Sequence, residues 1–251
     1  VLVLFDIDAT LLTTQHAGVL AVADAGRELF GPTFCHDLVQ YAGGLDPVIM
    51  ERLLKVHDLP HDADRVQQFR AAYGHFLDIR LQTPNMASPL PGVIELLDKL
   101  ANLDRCAVGL LTGNFPETGA AKLAAAGLDV DRFVICAWGC DSPHQEALRT
   151  HLPPVAMSRY RETFGADIAP DRVTIVGDTE HDIRCAKDNG CRALGVATGA
   201  ESVDDLLAVG ADCAVETLAD TPSILAWLTA PLQATPTKFH LTPSPRGRGL
   251  G

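Results

Sequence analysis

Nothing in this chain of 251 residues is apolar for long enough to cross a bilayer. Its opening residues also lack the basic start and small-residue cleavage site of a secretory signal. The expectation is a soluble, cytoplasmic protein. Basic residues are scarce, with 20 Lys and Arg against 32 Asp and Glu, so the formal charge is −12. Such a surface repels polyanions, and the one basic spot is Arg246 and Arg248 near the C-terminus. No nucleic acid and no membrane is therefore expected as a partner. The seven cysteines form no regular framework. Cys136 and Cys140, or Cys185 and Cys191, are spaced too widely for a usual zinc pair, so reduced thiols are expected. No internal repeat is evident, which removes solenoid architectures.

What is present begins with Val1-Leu2-Val3-Leu4-Phe5, an apolar run that reads as a strand buried on both faces. It ends in Asp6 and Asp8, whose one-residue spacing lets both carboxylates converge just beyond the strand. Like charges there need a cation or a shared proton, and oxygen ligands favour Mg²⁺.

From Thr13 to about Asn85 the pattern is helical. Ala17, Leu20, Ala21, Ala25 and Phe30 give one apolar face, and Gly31-Pro32 stops the first helix. Gly43-Gly44 lies in a turn that either reaches into a site or simply reverses the chain. Asp46 reads as an N-cap with Pro47 at the first helical position, and a further helix is expected over 62–80. This block, 13–85, is expected to be an inserted all-helical cap. From Pro91 onward strands and helices alternate, which implies a parallel sheet covered on both faces. The strands end in Thr112-Gly113-Asn114 and in Gly177-Asp178-Thr179-Glu180-His181-Asp182. Cys213-Ala214-Val215 is expected as a last edge strand, and 231–251 as a disordered Pro/Gly-rich tail. The fold class is thus α/β, a Rossmann-like parallel sheet over 1–12 and 86–230 with a helical insertion. In such a sheet all strand C-termini share one edge, so the three polar clusters should meet.

Asp6-Ile7-Asp8-Ala9-Thr10, Leu110-Leu111-Thr112-Gly113-Asn114 and Gly177-Asp178-Thr179-Glu180-His181-Asp182 resemble three motifs of the haloacid dehalogenase (HAD) superfamily, and most of all its phosphoglycolate-phosphatase-like branch. The resemblance runs from Val1 to about Leu228. It implies that Asp6 is a nucleophile forming an aspartyl-phosphate and that Asp8 is the general acid and base. It also implies Mg²⁺ between Asp6, the Asp8 carbonyl and Asp178, a phosphate held by Thr112, Gly113 and Asn114, and Asp182 acting behind the ligands. Two positions depart from the pattern. Ala9 stands where the family has Gly, which is tolerable unless positive φ is required. The family's motif-three Lys is absent, since no Lys lies between Lys122 and Lys187. Arg149 is the best substitute, pairing with Asp6 and phosphate through its planar fork. Arg159 and Arg161 are its rivals for that place, but within their helix they read as a solvated face, and His151 and His181 read as structural.

The expected activity is Mg²⁺-dependent hydrolysis of a small phosphorylated metabolite, with phosphoglycolate as the leading substrate by resemblance. A phosphomutase shares every one of these residues, and a receiver-type signalling module shares the clustered acids. A monomer or homodimer is expected.

Overall fold

The computed structural model describes residues 1–230 and the short strand at 239–240. Its centre is β1 (Leu2–Phe5), whose side chains are all buried. β1 pairs in parallel with β4 (Ala107–Leu111) on one side and β6 (Val173–Gly177) on the other. Outside these lie β5 (Ile135–Ala137), β7 (Arg192–Val196), β8 (Cys213–Val215) and β9 (Phe239–His240), in the order β5-β4-β1-β6-β7-β8-β9. β8 is therefore not the edge strand its position in the sequence suggests, because β9 pairs with it in parallel. The rest of the expected tail lies outside the described residues.

Alternation along β1 explains the layers. Val3 and Phe5 enter one apolar cluster with α4 (Val93–Ala101), α5 (Pro116–Ala125) and α9 (Thr221–Thr229). Leu2 and Leu4 enter the opposite cluster with α6 (Leu152–Phe164), α7 (Glu180–Asp188) and α8 (Val203–Ala208). Each fully buried Leu or Phe removed from water contributes about 1.5–3 kcal/mol, which fixes the register firmly. Phe5 stands opposite both Leu110 and Val176, so the residues following β1, β4 and β6 emerge together at one edge.

The insertion holds three helices, α1 (Ala17–Phe30), α2 (Asp46–Val56) and α3 (Ala63–Leu81), around their own core of Leu53, Leu54, Phe69 and Leu77. Asp62 caps α3 through the Arg65 N–H at 2.9 Å. Leu20 does not face this core: it is 39% exposed, and Val22, Ala23 and Gly26 are buried with Ala17, Ala21 and Ala25. Along most of α1 small side chains face inward, because α1 packs closely along α3, while Phe30 at its end meets Phe69 edge-on as the periodicity predicts. The sequence gives no hint of one further feature. The outgoing chain, β2 (Leu12–Thr13), pairs antiparallel with the returning chain, β3 (Ser88–Pro89).

Candidate active site

Asp6, Thr112 and Asp178 each follow directly on a central strand, and the three strand ends do meet. Oxygens of Asp6, Asp178 and Asp182 all lie within 4.8 Å of one another. Thr112 donates its hydroxyl hydrogen to Asp6, and Thr10 Oγ1 donates to Asp178 Oδ1 at 3.1 Å. The Asp8 carboxylate turns the other way, accepting from Asn114 Nδ2 at 2.9 Å and from Lys122 Nζ at 2.6 Å. Its main chain stays beside Asp6.

Arg149 is 8% exposed and lies just ahead of α6. Its Nη2 sits 3.2 Å from Asp6 Oδ1 and 2.6 Å from Asp182 Oδ1. The guanidinium does not meet Asp6 as a planar fork: one nitrogen serves both acids, and the buried Nε has no partner. Asp182 is both an anchor for this arginine and a helix cap. Its Oδ2 accepts from the Thr179 hydroxyl at 2.7 Å and the Thr179 N–H at 3.2 Å, closing a capping box on α7.

These surroundings set the acidities. Burial pushes Asp6 up to about 6, against the pull of Arg149. Burial and the charges of Asp182 and Asp6 push Asp178 up to about 8. Burial also works to raise Asp8, but Lys122 and Asn114 outweigh it and hold that carboxyl below its ordinary value. Burial and mutual repulsion thus oppose ionisation of Asp6 and Asp178 together, a repulsion that a proton held between them or a bound cation relieves. The donors here are carboxylate oxygens with no imidazole or thiolate among them, a set that fits a hard divalent cation such as Mg²⁺.

Ala9 has φ +55°, so the position does require the left-handed region where the related motif has Gly. Thr198 secures the strained turn by donating its hydroxyl to the Ala9 carbonyl.

The insertion reaches this edge through Gly43-Gly44. Gly43 has φ +64°, and a Cβ there would lie 2.3 Å from the His181 ring. A Cβ at Gly113 would lie 1.9 Å from the Gly44 carbonyl oxygen. The loop is more than a surface turn, since both glycines line the same cavity of about 580 Å³ as Asp6, Asp8, Thr112, Asn114 and Asp178. Asp46 is not the N-cap of its own helix, a place taken by Leu45. Its N–H donates to Gly113 O at 2.8 Å, and its Oδ2 accepts from the Phe115 N–H at 3.1 Å, ahead of α5. It caps a helix of the sheet domain from the insertion, and burial pushes it up to about 6.

Two side chains escape the motif reading. Lys122 is 4% exposed and also donates to Asn114 Oδ1 at 2.6 Å. Its signal was present: Thr118, Gly119, Lys122 and Leu123 form the buried stripe of α5, and a lysine in such a stripe requires an acid. Arg159 is the other. It is partly exposed, yet it binds Asp141 Oδ2 at 2.6 Å and the Cys136 carbonyl, fastening the turn after β5. Arg161 is exposed, as expected. His151 is structural: its Nδ1 accepts from the Leu148 N–H at 3.2 Å and meets Ser142 Oγ at 2.8 Å.

Known proteins resemble this chain along most of its length. A family profile described as HAD-hydrolase-like matches residues 142–221. Probable phosphatase IndB of Dickeya dadantii (strain 3937) is 29% identical over 223 residues, covering 87% of this chain and 90% of that one. Phosphoglycolate phosphatase of Yersinia pseudotuberculosis (serotype I, strain IP32953) is 26% identical over 227 residues, with the same coverage. Among solved structures, a hydrolase from Pseudomonas syringae superposes with a TM-score of 0.69 at 18% identity, over 91% of this chain and 99% of its own, a likeness of fold. No helix among the described residues is long and apolar enough to cross a membrane.

Proposed function

We propose that the chain is a haloacid dehalogenase-like hydrolase of the phosphatase kind, a Mg²⁺-dependent phosphomonoesterase working through an aspartyl-phosphate on Asp6. The observation that carries this reading is the meeting of Asp6, Asp178 and Asp182 within 4.8 Å beside the buried Arg149. Asp6, Asp178 and the Asp8 carbonyl would hold the Mg²⁺. Bound there, the ion would relieve the carboxylate repulsion and offset charge on the phosphoryl oxygens.

The chain's own groups supply the rest. Asp6 attacks phosphorus, the bond to the ester oxygen breaks, and Asp8 gives that oxygen its proton. Water then attacks the phosphorus of the acyl phosphate and gives its proton to Asp8, regenerating both carboxyl groups and releasing inorganic phosphate. Asp8 must carry a proton in the first step, although Lys122 holds it ionised in the free protein. An arriving phosphoryl dianion competes for the Lys122 ammonium and so weakens that hold. The buried Nε of Arg149 and the N–H of Gly113 would turn to phosphoryl oxygens, joined by the Asn114 N–H, which now donates to Thr112 Oγ1 at 3.4 Å.

The test is phosphate release from a panel of small phosphate esters, with and without Mg²⁺, by the wild type and by Asp6→Asn. The variant should fold normally and release no phosphate. Near-normal turnover by Asp6→Asn would overturn the nucleophile assignment. Isomerisation of β-glucose 1-phosphate without phosphate release would make the protein a mutase instead.

A further inference from the structure

A phosphatase selects its ester by what surrounds the alcohol, and here the helical insertion forms that part of the wall. Between Thr14 and Tyr73 it contributes the side chains of Val19, Val22, Ile49 and Met50 to the cavity, with the ring of Tyr73. No Lys or Arg of the insertion lines the cavity among the described residues. The carboxylate the insertion does supply is that of Asp46. The cations of the sheet domain that face the cavity are Lys122 and Arg149, and both are already engaged. Lys122 is held at 2.6 Å by Asp8 and by Asn114, and Arg149 lies between Asp6 and Asp182. A carboxylate on the leaving alcohol would therefore leave water to face Asp46 and apolar carbon, with no lysine or arginine free to meet it and only the exposed imidazole of His16 at the wall. At about 580 Å³ the cavity is also far roomier than a two-carbon acid needs, within the ~300–1,000 Å³ range of sites that enclose drug-sized ligands.

We infer that the substrate is the phosphate monoester of an uncharged alcohol with an apolar segment, and not a phosphorylated carboxylic acid such as phosphoglycolate. This inference rests on the phosphomonoesterase reading given above. The apolar segment lies against Val22, Ile49 and Met50, while the phosphoryl group occupies the sheet edge. Discrimination comes from the missing partner: a buried carboxylate without a cation is rejected more strongly than a methylene is selected.

The experiment measures kcat/KM for phosphoglycolate, n-butyl phosphate and phenyl phosphate with Mg²⁺, on the wild type, Val19→Arg and Asp46→Asn. Val19 is half-buried and lines the cavity, so an arginine there offers the absent counter-ion. Asn at 46 removes the charge while keeping an oxygen to accept from the Phe115 N–H. The wild type should favour the two neutral esters over phosphoglycolate by at least about tenfold, as one misplaced like charge implies. Each variant should narrow that ratio, mainly through KM for phosphoglycolate. Equal or better turnover of phosphoglycolate by the wild type overturns the inference and leaves the phosphatase reading intact. If none of the three esters releases phosphate while another monoester does, the inference also fails. If no monoester is hydrolysed at all, the underlying reading fails with it. Circular dichroism of each variant checks folding, and the wild-type ratio decides the matter should either variant misfold.

Discussion

Replacing Arg149 by Met removes the counter-ion of two buried acids at once. The side chains of Arg149, Asp6 and Asp182 are 7%, 11% and 0% exposed, so water cannot take over the arginine's role. Breaking a buried pair of this kind from one side costs about 3–5 kcal/mol. For a chain of this size each kcal/mol lowers Tm by roughly 2–4 °C, so the variant should melt about 6–20 °C below the wild type. The deficit should depend on pH. Asp6 sits at about 6 with Arg149 present, and losing the arginine moves it higher still. A carboxyl whose folded pKa lies above its unfolded value costs stability as pH rises through it, so the gap between variant and wild type should widen from pH 5 to pH 8. Thermal unfolding in chelator, followed by circular dichroism, measures this directly. Arg161→Ala is the control: Arg161 and Asp167 are 59% and 84% exposed, and losing that pair should cost about 0–1 kcal/mol. Arg149→Lys should fall between the two, since a shorter point charge reaches one acid better than both. A variant Arg149→Met within about 1 kcal/mol of wild type, with no trend in pH, would show that this arginine is not their counter-ion.

Other outcomes follow from residues already placed. Ala9→Gly should stabilise by about 0.5–1 kcal/mol in urea unfolding, because relief of ~1–2 kcal/mol at positive φ exceeds the ~0.4–1 kcal/mol of added unfolded-chain entropy; a loss of stability would show that Ala9 is not strained. Asp46 has its folded pKa raised to about 6, so its contribution is present below pH 4 and lost as pH rises through 6, by up to ~3 kcal/mol. Asp46→Asn should flatten that part of the stability–pH curve, and an unchanged curve would assign the trend to other groups. Lys122→Met should lower kcat by about 10²-fold or more while far-ultraviolet circular dichroism stays native, since the phosphoryl group loses the ammonium that offsets its charge; wild-type kcat would remove Lys122 from the chemistry.

The sheet and its site were legible for physical reasons that stop at identifiable places. A buried parallel strand must be a continuous apolar run, and Val1 to Phe5, Ala107 to Leu111 and Val173 to Val176 admit little else. Once the strands are parallel, the edge on which their polar ends meet is dictated. Arg149 was found through the family resemblance, as the substitute for a motif-three Lys that this chain lacks. What the sequence concealed was contact across distance. Asp46 looks like a local cap because its neighbours are Pro47 and an apolar helix, yet its carboxylate is 69 positions from the N–H it accepts from. Lys122 hides among alanines, because its partner Asp8 comes from a different strand end. Leu20 obeys helical periodicity but points outward, since α1 lies close along α3 there and the inward places beside it are taken by Ala17, Ala21 and Val22. The β2–β3 pairing involves two residues from each strand, too few to show any alternation.

That small ribbon carries a consequence for how such proteins diversify. Leu12 stands beside Pro89 and Thr13 beside Ser88, so the chain leaves the sheet and returns to it through one doorway. The 74 residues between Thr13 and Ser88 are, from the standpoint of the strands, a single appendage with adjoining ends. Any other segment whose ends lie a strand-width apart can be spliced into that doorway without shifting the strands behind Asp6 and Asp178. The catalytic edge and the wall that chooses the alcohol can therefore be recombined as separate parts.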